Sequence, residues 1–399
     1  MNFEDLLAAC KPGGASVLTS VTELSAAAGP HAGITPAKFL SGKNPTFAYE
    51  TRFVDGEATR TVVIDSIPSS ANRGEAAISQ AIKDGDELLS RIPRIQVSYG
   101  EEKFTDLDLP HRFTDGHIRA GSFEGQPVTQ CEWYRAMRLS TPQDYSAILN
   151  TSPISLVCGV WNSTAATHQV RIRRSITGET IGVLADQDRP GYEQQGARSG
   201  ARVDPVGASV QLDGEAFTRI INRQKQDLSA GKVDAFAKEV KGLKKGRLMS
   251  GSKIGVGALP PSLDPLGSVS CKRIIRSWVL SFAAIRQLSF GGNTEQNAAG
   301  RALVAALAIA LIARAEQELF YRSNCDLVEV SAPDVQLDQR YGRSKALDPF
   351  SVEEADSLLA EALKHAEELG VADWHGQVKD ITGDPAIIEG AADDGEEEA

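Results

Sequence analysis

His111, Asp115 and His117 put two imidazoles and a carboxylate within seven residues, a set that could hold a metal ion. The H-x-x-x-D-x-H spacing matches no standard metal motif, and proline and glycine surround it. A hydrogen-bonded loop is the better expectation, and neither a metal nor another cofactor is expected. The clearer chemistry is cationic. Ser69 and Arg73 stand one turn apart where a helix should begin, and free N–H groups and the helix dipole favour an anion there. An ordinary capped helix start with a solvated arginine is the competing reading. From Val170 to Ile176 apolar and basic residues alternate, so Arg171 and Arg173 oppose Val170 and Ile172, with Arg174 beside them. Several charges on one rigid strand suit the positioning of a phosphate backbone, although a solvated sheet face reads the same way.

A denser cluster runs from Lys241 through Lys244 and Lys245 to Arg247, and Lys253 follows it. Between Arg219 and Lys253 there are 10 Lys and Arg against 3 Asp and Glu. Gly251 to Gly257 would let a backbone approach a ligand closely. Together these clusters favour a phosphate-rich ligand, and nucleic acid before others. The overall charge of −11 does not oppose this, because the residues from Asp348 onward hold 16 acidic and 2 basic side chains. Residues 1–347 therefore carry a balance of +3.

Motifs for other chemistries are missing. No Walker-type phosphate loop, no G-x-G-x-x-G opening a helix and no G-x-S-x-G elbow occur. The cysteines (Cys10, Cys131, Cys158, Cys271, Cys325) are odd in number and form no CxxC pair, so neither a zinc site nor a disulfide framework is expected. The first residues, MNFEDLLAAC, lack the basic start and long apolar stretch of a signal peptide. The most apolar run, Ala302 to Ala313, is too short to span a membrane and reads as a core helix. A soluble, cytoplasmic protein with no membrane partner is expected.

The elements that must position these residues can be sketched from periodicity. Residues 1–60 read as loops around one short helix, Phe3 to Ala9. Thr61 to Asp65 reads as a buried strand ended by Pro68, with Ser69 and Ser70 as cap candidates for a helix through Ile82. Ser155 to Trp161 reads as a strand buried on both faces, and Thr180 to Leu184 as extended. Asp186 to Ser209, rich in Gly, Arg, Gln and Pro, reads as a mobile loop. Helices follow over Cys271 to Leu288 and Thr294 to Phe320, then a strand over Asp326 to Val330. Ser351 and Glu354 form a capping box for a helix whose apolar stripe runs from Val352 to Leu369.

Five segments, in order, resemble one family, the backbone subunit of type I-G (formerly I-U) CRISPR Cascade complexes in the RAMP superfamily. They are DSIPSSANRGE (65–75), HRFTD (111–115), SPISLVCGVWNS (152–163), GVGALPP (255–261) and the alanine-rich helix leading into SNCDL (323–327). The resemblance implies an α+β chain with a modified RRM-like (ferredoxin-like) palm over residues 1–345. It implies a thumb inserted at about 186–253, with residues 346–399 a C-terminal helix and acidic tail outside the family pattern. It implies a non-catalytic scaffold that oligomerises along CRISPR RNA, meets target DNA paired to the guide, and joins the large subunit and the guide-end-capping subunit in antiviral defence.

Carried onto this sequence, the resemblance gives phosphate-binding roles to Asn72, Arg73 and Ser69, then to His111 and Arg112. Charge, rather than motif, adds Arg198, Arg202, Lys244, Lys245, Arg247 and Lys253 as RNA contacts of the thumb. Asn162 departs from the pattern, standing where many members carry an acidic residue. The alternative is a type III-like RAMP backbone that cleaves target RNA with a loop aspartate and a divalent metal. Asp65 and Asp115 are its only candidates, and neither has a partner carboxylate at a useful spacing.

Overall fold

The computed structural model describes residues 1–162, 170–191, 196–200, 209–257, 262–321 and 325–390. The chain divides into two compact units, residues 1–194 with 269–388, and residues 195–268 with 389–399. The first unit begins with α1 (Phe3–Cys10), β1 (Val17–Ala26), β2 (Tyr49–Val54), β3 (Glu57–Asp65) and α2 (Ile67–Lys83). It continues through α3 (Ile154–Cys158), β4 (Val160–Trp161), β5 (Arg171–Ile172) and β6 (Ile176–Leu184). The second unit supplies α4 (Gly214–Gln224) and α5 (Ala230–Lys241). The chain then returns to the first unit with β7 (Cys271–Ser281), α6 (Thr294–Glu318), β8 (Asp334–Asp338) and α7 (Val352–Glu368).

The main sheet has the order Ser344–Leu347, β8, β1, β7, β6, β3, β2, with Leu327–Glu329 also pairing with β1. Every pairing in it is antiparallel. Its four central strands, β8–β1–β7–β6, have α2 in the chain between β1 and β6, and α6 in the chain between β7 and β8. Burial explains why these segments are strands. Along β7, Ile274, Arg276, Trp278 and Leu280 face inward with period two, and along β1 so do Leu18, Ser20, Thr22 and Leu24.

Helix α6 is the centre of the core. Asn293 caps it, with the reciprocal Gln296 contact of a capping box. It is long and apolar enough to cross a membrane, but 94% of its most apolar window is buried inside the protein. Its alanines let α1, α2, α3 and α7 approach on different sides. Each fully buried leucine, such as Leu303, Leu307 or Leu311, contributes about 1.5–3 kcal/mol of transfer free energy. At Gly74 of α2 a Cβ would lie 2.1 Å from Leu311 Cδ2, so only glycine lets α2 lie this close to α6.

The C-terminal residues join this core. Ser351 and Glu354 form the expected capping box, and α7 buries Ala355, Leu358, Leu359, Ala362, Leu363 and Ala366 against α6. Val378–Thr382 pairs in parallel with Arg94–Tyr99 in a second sheet. In the second unit, α4 and α5 enclose a small core of Phe217, Ile221 and Met249, flanked by Phe236, Val240 and Leu243. Gly196–Gly200 pairs antiparallel with Ser262–Ser268.

Several expectations are corrected. Residues 17–26, 49–54 and 57–60 are strands rather than loops. Ser155–Cys158 lies in a helix, and extended structure starts only after Gly159 turns the chain at φ +79°. Residues 271–281 are a strand, followed by a single helical turn over Phe282–Ile285. Pro68 does not separate strand from helix but sits in the first turn of α2, and Ser66, not Ser69 or Ser70, is its cap. Within the expected mobile loop, Gly196–Gly200 is a strand, whereas residues 192–195 and 201–208 lie outside the described residues.

Candidate nucleic-acid interface

A cleft of about 970 Å³ opens in the first unit at the start of α2. It is lined by Ser66, Ser69 and Asn72 of that helix and its cap, by Pro110 and Arg112, and by the β4–β5 pair with the residues after it. The sequence-nominated Ser69, Asn72, Arg112, Arg171, Arg173 and Arg174 therefore meet in one place. Asn72 is exposed and Ser69 half-buried on the first two turns of α2. Arg171, Arg173 and Arg174 are exposed, whereas Val170 and Ile172 are buried, which is the expected alternation. None of these three arginines has an ion pair among the described residues.

Arg112 differs from them. Its guanidinium donates to both oxygens of Glu75, at 2.6 and 2.9 Å, and to the Gly159 carbonyl at 3.0 Å. Both side chains are largely buried, and Arg112 holds a left-handed backbone, φ +50°, to make this contact. Burial lifts the Glu75 carboxyl above its usual range, opposed by the Arg112 charge. Burial likewise pushes up the neighbouring Cys158 thiol, so the cysteine lining the cleft stays protonated. The paired Glu75 and Arg112 cancel, and the cleft is left with three net positive charges.

Arg73 does not line the cleft. Its Nε and Nη2 donate to Asp65 Oδ2 at 3.1 and 2.8 Å, its Nη1 donates to the Ala315 carbonyl, and its guanidinium lies 4.7 Å from the Tyr321 ring centroid. Ser70 Oγ donates to the same Asp65 oxygen. The expected solvent-facing anion site at Ser69 and Arg73 is thus corrected: the arginine side chain is 9% exposed and turned toward α6. The first turn of α2 is also short of free donors. Ser69 N–H and Ser70 N–H already reach Ser66, and Pro68 has no N–H.

His111 is exposed beside the cleft, and its backbone N–H donates to Asp115. Asp115 also caps the helix Gly116–Ala120, and His117 Nδ1 bonds the Tyr99 hydroxyl at 2.8 Å. Among the described residues no group of three His, Cys, Asp or Glu is placed to hold a metal ion. In the second unit, Lys244, Arg247 and Lys253 line a cleft of about 620 Å³ and Lys245 is exposed next to them. Lys253 Nζ is paired with Glu239 at 2.5 Å. Arg198 lies on the strand Gly196–Gly200, and Arg202 lies outside the described residues.

Sequence reasoning missed the exposed aromatic residue of the cleft. Trp161, at the end of β4, is 56% exposed and has the Arg171 guanidinium 5.4 Å from its ring centroid. The signal available was its position at the close of a buried apolar run, directly before Asn162.

Residues 18–187 match the family model described as CRISPR-associated protein GSU0053, so this part of the chain is similar to a CRISPR-associated family. The matched span runs from β1 to just past β6 and contains the whole cleft. No curated protein matches the chain.

Proposed function

We propose that this chain is a CRISPR-associated, non-catalytic scaffold that binds CRISPR RNA and polymerises along it as the backbone of a type I-G Cascade complex. The observation that carries the reading is the cleft where Arg171, Arg173 and Arg174 present unpaired charge beside Ser69 and Asn72. Guanidinium groups on a hairpin, with a hydroxyl and an amide opposite, suit a ribose–phosphate backbone read by shape and charge.

The topology supports the same reading. The antiparallel order β8–β1–β7–β6, with a helix in the chain between β1 and β6 and another between β7 and β8, is what a split βαβ, ferredoxin-like palm would require, and it supports that assignment. The β2–β3 hairpin would be its modification. The unit at 195–268 falls in the chain between β6 and β7, where an RRM-like backbone subunit would carry a thumb. On this reading the partners are CRISPR RNA, target DNA paired to it, further copies of the chain, and the large and guide-end-capping subunits of a cytoplasmic particle.

The RNA-cleaving alternative is not favoured. Asp65 is buried against Arg73, and both Asp115 oxygens accept backbone N–H groups. Neither faces the cleft.

The test is RNA binding against salt. Arg173→Ala/Arg174→Ala should weaken binding of unrelated guide sequences alike and flatten the log–log salt slope by ~0.7 for each single-strand phosphate no longer neutralised. An unchanged slope would remove the cleft from the RNA path. Discrete guide-length RNA co-purifying with the full chain is the complementary observation.

A further inference from the structure

We propose that Trp161 is a stacking platform for one unpaired nucleobase of the bound strand, and so makes the cleft selective for single-stranded over duplex nucleic acid. This rests on the reading of the cleft as an RNA site.

Four tryptophans are present, and Trp278 and Trp374 are buried in the core as their size and apolar surface dictate. Trp133 is partly buried against Phe123. Trp161 alone leaves more than half of its surface in water, and does so inside a cleft rather than on a convex face. A solvated indole forgoes the burial that normally stabilises it, which is expected where a ligand supplies that burial instead.

Its position is fixed. Trp161 pairs across the β4–β5 ladder with Arg171, whose guanidinium stacks on the indole. The base of this hairpin is clamped in two ways. Gly159 packs so closely that a Cβ would meet Arg174 N at 2.7 Å, and its carbonyl accepts Arg112 Nη1, which Glu75 of α2 holds in place. The Glu75–Arg112 pair thus positions the platform.

The surroundings define the ligand. Arg173 and Arg174 offer phosphate contacts in the same cleft, next to an aromatic surface that any base can stack on. A duplex presents no free base face within its stack, so an indole here rewards a base that is splayed out or already single-stranded. Sequence preference is not expected, because every base has a π-face.

The experiment titrates the full chain with a short single-stranded oligoadenylate and with the same strand annealed to its complement, following tryptophan fluorescence. The wild type should prefer the single strand, and its emission should be quenched on binding. Trp161→Ala should abolish the quench and weaken single-strand binding on the order of ten-fold, the scale of one base–aromatic stack, while leaving the salt slope unchanged. Trp161→Phe should restore most of the affinity without the quench.

Three results would overturn the proposal. If Trp161→Ala binds like the wild type while Arg173→Ala/Arg174→Ala binds weakly, the platform is wrong and the RNA reading stands. If neither RNA form binds the wild type, both fall. If Trp161→Ala lowers the mass of the assembled particle but not the affinity per chain, the indole is a contact between copies.

Discussion

Two sets of arginines stand within a few residues of the same cleft and do opposite things. Arg73 and Arg112 are turned inward, each with at least two N–H groups on one buried carboxylate, Asp65 and Glu75 respectively. Arg171, Arg173 and Arg174 stand in water with no carboxylate paired to them among the described residues. The side chain is the same in all five. What separates them is whether the fold delivers an acidic partner to the point where the guanidinium is desolvated. The sequence marks both sets as ligand contacts, the first through the family resemblance and the second through the alternation of apolar and basic residues. The structure gives the first set the work of fixing α2 and the β4–β5 hairpin, and leaves the second free to meet an anion.

The sharpest way to break this comparison is to remove one partner of an inward pair. Arg73→Ala leaves Asp65 buried and uncompensated, which should cost about 3–5 kcal/mol in urea unfolding. Asp65→Leu/Arg73→Met should recover most of that loss, since a desolvated pair is worth little against apolar side chains of similar volume. If Arg73→Ala were as stable as the wild type, the guanidinium would be solvent-facing after all, and the distinction between the two sets would collapse.

Asp106 is the contrasting case, a buried carboxylate that forms no ion pair among the described residues. It accepts hydrogen bonds from Ser152 Oγ and Ile95 N–H, and burial pushes its pKa up to about 7. The folded value lies above the usual carboxylate value of 3.8, so the folded chain binds this proton more tightly than the unfolded one. That contribution is complete below about pH 4 and is lost as pH rises through about 7. Relative to Asp106→Asn, the wild type should lose stability across this window by up to a few kcal/mol, at ~1.4 kcal/mol for each pH unit between the unfolded and folded pKa values. Parallel stability curves for the two proteins would show that Asp106 is ionised when folded. Glu75, which burial also lifts against the opposing Arg112 charge, adds a slope of the same sign to both proteins, so it cancels in the comparison with Asp106→Asn.

Much of the frame was legible in the sequence, and the failures have physical causes. The strand ending at Asp65, helices α6 and α7, and the outward-facing Arg171 and Arg173 follow from periodicity and caps that packing did not override. Residues 271–281 misled because Ile274, Trp278 and Ile285 recur at helical spacing, while the true period of two is hidden by Arg276 at a buried position. Arg276 is tolerated there because Glu316 of α6 and Glu329 meet it, partners 40 and 53 residues away in the chain. Residues 156–158 are apolar and Ser155 is buried with them, and a short run of that kind fits a buried strand or a buried helix equally. The fates of Arg73 and Arg112 were invisible for the same reason as Arg276: pairing is a tertiary fact, and spacing along the chain does not report it.

A smaller effect tests whether α2 is positioned by close packing as well as by its charges. Gly74→Ala sets a methyl 2.1 Å from Leu311 Cδ2, which should cost about 1–3 kcal/mol by overpacking, less the ~1 kcal/mol that alanine returns in a helix. If the residual strain moves α2 away from α6, the cleft edge carrying Ser69 and Asn72 moves with it, and RNA affinity falls although no residue facing the ligand has changed. Affinity that holds while stability drops would show that Leu311 yields instead, leaving the helix in place.

The smallest change in stability belongs to the outward set, and it closes the comparison from the other side. Arg173→Ala/Arg174→Ala removes two solvated side chains that make no ion pair among the described residues, so unfolding should shift by no more than ~0.5 kcal/mol per site. Relief of mutual repulsion among three neighbouring guanidinium groups in one cleft pushes that small shift toward a gain. Native stability together with a flattened salt slope for RNA is the signature of charge held for a partner. A loss of several kcal/mol would instead mean that these arginines, like Arg73 and Arg112, answer to a carboxylate within the chain.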